Sequence, residues 1–149
     1  MLTIKELENY LKQRSAHFEI IKHDAPIVTT KDAEQYFDIS ITALSLVVQS
    51  NDELILLIVS VQRGKLDFKV LSQKLELPKL KLADRIKAEQ ITGYKIGSMP
   101  LIGLELPCIF DNQLLNFTYV YGGSGDAFYT LKIDPRDVKR LNNIRYTFE

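Results

Sequence analysis

The sequence predicts a single α+β domain over residues 1–149, with a mixed and largely antiparallel sheet flanked by helices, and three observations predict it. Segments with apolar residues at helical spacing, opened by capping residues, are interleaved with short segments rich in β-branched residues. The run Leu54-Ile55-Leu56-Leu57-Ile58-Val59 is apolar without interruption, which demands cover on both faces of a strand and argues against a plain sandwich. A little under half of the residues are apolar, enough for one core without metal or disulfide support.

Thr3 with Glu6 three residues on forms a capping box, and Ile4, Leu7, Tyr10 and Leu11 share a face, so a first helix reaches about Arg14. Phe18 to His23 alternates loosely as a short strand and ends at Asp24-Ala25-Pro26. Thr29 or Thr30 then caps a helix that turns Ala33, Tyr36 and Phe37 inward. Ala43 to Val48 and Glu53 to Val61 form an antiparallel hairpin across Ser50-Asn51-Asp52, at the centre of the sheet. Asp67 caps a helix carrying Phe68, Leu71 and Leu75, and Pro78 marks its end. Asp84 caps another that stops at Gly93. Pro107 to Phe110, Asn116 to Tyr121 and Ala127 to Ile133 read as strands, the last two joined by a glycine-rich hairpin turn at Gly122-Gly123-Ser124-Gly125-Asp126. Asp134-Pro135-Arg136-Asp137 opens a final helix with Val138 and Leu141 facing in. There is no internal repeat, linker or low-complexity stretch.

Nineteen basic residues balance nineteen acidic ones, which argues against a protein that grips nucleic acid over its whole surface. The charge is uneven, however: between Arg63 and Lys87 cations outnumber anions. Lys65, Lys69, Lys79 and Lys81 are candidate RNA contacts, or else a solvated face. The longest apolar stretch, Leu54 to Val61, is too short to span a bilayer, and the N-terminus lacks the layout of a signal peptide. The expectation is a soluble cytoplasmic protein with no membrane partner. The lone Cys108 excludes an intramolecular disulfide and sits in an apolar setting that suits packing.

The spacing of His17, His23 and Cys108 matches no metal site, and no cofactor is implied. Of the two histidines His23 is the better functional candidate, because it precedes a turn. Gly122-Gly123-Ser124-Gly125 matches neither a nucleophile elbow nor a P-loop. Thr92-Gly93-Tyr94-Lys95-Ile96-Gly97-Ser98-Met99-Pro100-Leu101-Ile102-Gly103 prescribes backbone geometry. It is either punctuation between elements or a pocket wall that presents bare amides.

The order and spacing of these pieces carry a further meaning. The N-terminal helix, Phe18 to His23, the Thr29-Thr30 helix start and the apolar hairpin come first. Leu66-Asp67-Phe68-Lys69-Val70-Leu71 through Leu82-Ala83, Thr92-Gly93-Tyr94, Gly97 to Gly103, Gly122-Gly123 and the Asp137-Val138 helix follow. Together they resemble the YbaK family, the prolyl-tRNA-synthetase-associated domains that act as aminoacyl-tRNA deacylases. The resemblance covers nearly the whole chain. It implies a helix-flanked sheet or partly open barrel, with a pocket that takes the aminoacyl end of a charged tRNA and hydrolyses the ester of a wrong amino acid. The pocket residues carried over are His23, Thr30, Ser45, Gly97, Ser98, Pro100, Tyr121, Gly122, Gly123 and Ser124. Such an ester is labile, so a positioned water and an amide-lined oxyanion site suffice without a strong nucleophile.

Two departures matter. Family members place a lysine, a small hydroxyl residue and a leucine on the first central strand, where this chain has Leu44-Ser45-Leu46. The expected acidic position after the glycine turn is Phe128, unless a shifted register brings Ser124 and Asp126 into use. The lysine's absence leaves the catalytic residue unassigned, and a non-enzymatic module that binds tRNA or a partner protein is the alternative.

Overall fold

A computed structural model describes residues 1–149. Helix α1 (Ile4–Gln13) has the expected capping box, with the Thr3 hydroxyl accepting the Glu6 amide and the Glu6 carboxylate accepting the Thr3 amide. Strand β1 (Phe18–Lys22) follows, and a single-turn helix α2 (Thr30–Ala33) is boxed by Thr29 and Asp32. Strands β2 (Ala43–Ser50) and β3 (Glu53–Ser60) form the central hairpin. Helix α3 (Phe68–Lys74), strand β4 (Leu80–Leu82) and helix α4 (Arg85–Thr92) come next, the helices capped by Asp67 and Asp84. Gly93 ends α4 in the left-handed region. Strands β5 (Pro107–Asp111), β6 (Val120–Gly123) and β7 (Tyr129–Ile133), helix α5 (Pro135–Leu141) and strand β8 (Asn143–Phe148) complete the chain.

The strands make two sheets, a five-stranded one in the order β4-β2-β3-β5-β8 and a three-stranded one in the order β1-β7-β6. Pairing is antiparallel except for β3 with β5 and β5 with β8. A lone bridge between Thr42 and Tyr121 links the sheets, so the barrel is open. The apolar run on β3 is divided between two cores by its period of two. Leu56 and Ile58 join Leu7, Leu11, Leu101 and Phe110 on one face, and Ile55, Leu57 and Val59 join Val48 and Leu71 of α3 on the other. Both faces are covered, as an uninterrupted apolar strand requires, and each fully buried Leu, Ile or Phe contributes about 1.5–3 kcal/mol.

Four details differ from the sequence expectation. Helix α2 is one turn long, and beyond it Tyr36 is exposed and Phe37 half-buried, the two rings meeting His23 at 5.2 and 6.3 Å. Asn112–Asn116 is a 3-10 helix, opened by the Asp111 side chain accepting the Gln113 amide, so β6 starts only at Val120. Gly122 and Gly123 lie within β6, and the turn to β7 falls after them. Strands β4 and β8 form the two edges of the large sheet. The alternation in β8 is present in its exposed Asn143, Arg145 and Thr147, but its partner β5 lies far back in the chain.

Two polar clamps tie the ends together. Asp111 is completely buried and accepts from the Ser60 amide (3.0 Å), the Gln113 amide (2.9 Å), Arg63 Nε (3.1 Å) and Arg63 Nη2 (2.7 Å). Asp137 accepts the His17 amide at 2.8 Å and pairs with Arg140 at 2.9 Å, joining the start of β1 to α5. His17, Asp134 and Asp137 bring ligand-type atoms within 4.8 Å of one another, but Arg136 and Arg140 pair with the two carboxylates.

Candidate functional site

A cavity of about 490 Å³ opens where the two sheets separate. Its floor is the first half of β2, its walls are the segment from Ile27 to Ala33 and the end of β6, and Gly97-Ser98-Met99 lies across it. Close backbone packing fixes that last segment. Gly97 has φ of +96°, and a Cβ there would stand 2.7 Å from the Val28 carbonyl oxygen. On β6, a Cβ on Gly123 would collide with the Met99 carbonyl, and the Leu101 amide donates to the Gly123 carbonyl at 3.0 Å. Gly123 therefore lets β6 touch the Ser98-Met99 backbone, Gly97 lets that segment touch the backbone at Val28, and the two contacts form one wall of the cavity.

Backbone hydrogen bonding decides which amides this wall can offer. The Ser98 amide returns to the Lys95 carbonyl (3.1 Å), and so does its hydroxyl (3.3 Å). The amides of Gly97 and Met99 have no acceptor within the chain. On the floor, Ser45 is the one residue whose buried side-chain polar atom lacks a hydrogen-bond partner. Strand period explains its placing: Leu44 and Leu46 pack toward the cluster under α3, whereas Ala43, Ser45 and Val47 take the opposite face. Leu44 borders the cavity while its side chain contributes to that second cluster. On the β6 side stand Tyr121 and, past the turn, Asp126. Burial, reinforced by Tyr119, Glu19 and Asp38, pushes the Tyr121 phenol above its ordinary value, so it is neutral and able to donate.

Of the residues expected at the pocket, Thr30, Ser45, Gly97, Ser98, Tyr121, Gly122 and Gly123 line the cavity, and His23, Pro100 and Ser124 do not. His23 is buried behind the wall, with Nδ1 2.7 Å from the Ala25 carbonyl and Nε2 3.2 Å from the Thr130 hydroxyl. A carbonyl only accepts, so Nδ1 donates to Ala25, while Nε2 is closed off by the Thr130 hydroxyl. Both nitrogens thus serve the fold. The Ser124 hydroxyl is buried and held by the Tyr129 carbonyl at 2.7 Å, and it accepts the Asp126 amide at 3.2 Å. Pro100 is buried beside the crossing. Cys108 lies in the core, its thiol pushed up to about 12 by burial.

Sequence reasoning missed the cavity roles of Val28, Leu82 and Arg85. Only Arg85 carried a signal, as a member of the basic segment. Asp126 was legible only through a shift of register, and Phe128, at the unshifted position, is exposed and outside the lining. Lys65, Lys69, Lys79 and Lys81 are exposed and none touches the cavity. Arg63, from the same segment, is consumed by Asp111.

A family model described as an aminoacyl-tRNA editing domain matches residues 24–141. A hypothetical protein of known crystal structure superposes with a TM-score of 0.82 at 21% identity, over 95% of this chain and 96% of its own. Another, described as a candidate trans-editing enzyme for prolyl-tRNA synthetase, superposes with a TM-score of 0.81 at 22% identity, over 100% and 98%. With the match running through every wall of the cavity, the chain belongs to the aminoacyl-tRNA editing domain family and has the YbaK-like fold.

Proposed function

We propose that the cavity receives the aminoacyl end of a mischarged tRNA, and that hydrolysis of the ester there is weak because no lysine lines it: Leu44, at the position where the resemblance sets a lysine, turns its side chain into the cluster under α3. One observation carries the placement: Ser45, whose buried hydroxyl has no partner, lines a cavity whose opposite wall is Gly97-Ser98-Met99, where the amides of Gly97 and Met99 are free. A buried hydroxyl without a partner costs stability unless a ligand completes it. Ser45 and the two amides suit an acyl oxygen, on which negative charge develops when water attacks the ester carbon. Asp126 suits the α-ammonium of the same aminoacyl group. Water adds to the carbonyl, and collapse of the adduct expels the ribose oxygen, which takes a proton as the amino acid leaves.

Leu44 supplies no donor or charge to that step. Losing one charged hydrogen bond costs about 1.5–3 kcal/mol, or roughly 10- to 150-fold in rate. Incubation with a panel of mischarged tRNAs tests the reading. Slow deacylation of at least one member is expected, with Ser45→Ala lowering the rate further. Brisk turnover, or a rate that Ser45→Ala leaves unchanged, would sink this account of the site.

The second reading, a non-enzymatic binding module, draws on one observation. His23, Ser124 and Cys108, the side chains best suited to act as base or nucleophile, are all engaged elsewhere in the fold. It predicts salt-sensitive tRNA binding with no deacylation of any member of the panel.

A further inference from the structure

An RNA whose acylated end occupies the cavity must leave it along some surface, and a row of aromatic rings marks one route. Phe37 and Tyr121 stand in the cavity wall with centroids 4.6 Å apart. Tyr119 packs edge-on against Tyr121 at 5.6 Å, and Lys132 Nζ stands 4.1 Å from the Tyr119 ring centroid. On the other flank Tyr36 lies 6.1 Å from Phe37. Tyr36 and Tyr119, at the ends of the row, are 39% and 36% exposed. Tyr119 and Lys132 also line a second cleft of about 230 Å³, which His17 and Glu19 share. The row therefore runs without a break from the cavity to that cleft.

Resting on the reading of the cavity given above, we propose that this row is a stacking platform for the unpaired nucleotides preceding the acylated 3′ end, with Tyr119 taking a base and Lys132 a phosphate. Aromatic faces accept any base, which suits a strand bound for its end rather than its sequence. The surrounding charges agree with bases, not backbone, passing over Tyr121. Glu19 and Asp38 act on that phenol and repel phosphate, whereas Lys132 at the far end attracts it. Glu19 lies opposite Lys132 in the β1–β7 register, which confines the attraction to about one phosphate. The contribution is accordingly one of stacking, with little dependence on salt. Binding through Lys65, Lys69, Lys79 and Lys81 would weaken steeply with salt.

The test uses the full chain and an unacylated single-stranded RNA ending in the unpaired 3′ nucleotides of a tRNA, with 2-aminopurine at each position in turn. The chain has no tryptophan, so probe emission is read without interference. Tyr119 lies outside the cavity lining, and Tyr119→Leu keeps bulk while removing the π face. Quenching of the probe on wild type, roughly 5- to 150-fold weaker binding by Tyr119→Leu and recovery in Tyr119→Phe are expected. Circular dichroism of both variants checks the fold. Equal binding by wild type and Tyr119→Leu, or equal binding of an abasic strand, overturns the platform. Deacylation of mischarged tRNA that ignores Tyr119 likewise overturns it and leaves the cavity reading standing. Tyr119-dependent binding in a protein that deacylates nothing supports the platform and counts against hydrolysis.

Discussion

Asp111 and Ser45 are both polar and both shielded from water, and they are treated in opposite ways. The Asp111 carboxylate receives four hydrogen bonds from Ser60, Gln113 and Arg63, all within 3.1 Å. The Ser45 hydroxyl receives none. Asp111 sits where β5 meets the end of β3 and a 3-10 helix, a junction closed on every side, while Ser45 faces an open cavity. A buried group that is fully answered by the protein serves the fold. One left unanswered beside a cavity is a place for a ligand to bind.

The contrast can be broken first at Asp111. Asp111→Ala strands Arg63 half-buried and leaves the Ser60 and Gln113 amides without an acceptor, so denaturant unfolding should show a loss of about 3–5 kcal/mol. A loss below about 1 kcal/mol would mean that the network adds nothing beyond exposed ion pairs. Asp137 provides an intermediate case. Burial pushes its carboxyl up, but the His17 amide and Arg140 outweigh that and hold it below the ordinary carboxylate value. With the folded value depressed, its stabilisation is present above the unfolded value, near 4, and is lost as pH falls through the lower folded value. Asp137→Asn should therefore cost about 1.5–3 kcal/mol at neutral pH and flatten the acid limb of a stability-against-pH curve. An unchanged acid limb would refute the linkage. The smallest effect is expected at Ser45. Ser45→Ala deletes no internal hydrogen bond, so thermal stability should hold or rise slightly, while affinity for an aminoacyl ligand drops by about 0.5–1.5 kcal/mol. Destabilisation as large as that of Asp111→Ala would show the hydroxyl to be structural after all.

Much of the fold was legible because its signals are local. The box at Thr3, the caps at Asp67, Asp84 and Asp134 and the stop at Gly93 depend on residues a few positions apart, and each is found where expected, while of the two candidate caps Thr29 and Thr30 it is Thr29 that serves. The hairpin of β2 and β3 is likewise set by its turn and its neighbours. Strands β4 and β8 escaped notice because a short edge strand is defined by a partner distant in sequence, not by its own composition. The site divides in the same way. Gly97 and Gly123 announced special backbone, yet only the fold shows which backbones they let approach, Val28 at Gly97 and Met99 at Gly123. His23 and Ser124 have reactive chemistry on paper, and their neighbours Ala25, Thr130 and Tyr129 use it up.

What the sequence by itself determined was the class of the domain, the starts of its helices and the doubly covered β3, while it left the stretch from Gly97 to Gly103 open between punctuation and a wall. These follow from propensity, capping and period, which act over one or two turns of chain. Only the tertiary structure decided which face of β2 meets the cavity. Period two sends Leu44 and Ser45 to opposite sides, but the choice between the sides depends on α3 covering one of them and the open seam between the sheets leaving the other free. That choice is why a serine without a partner, rather than the leucine beside it, fronts the space where a ligand fits.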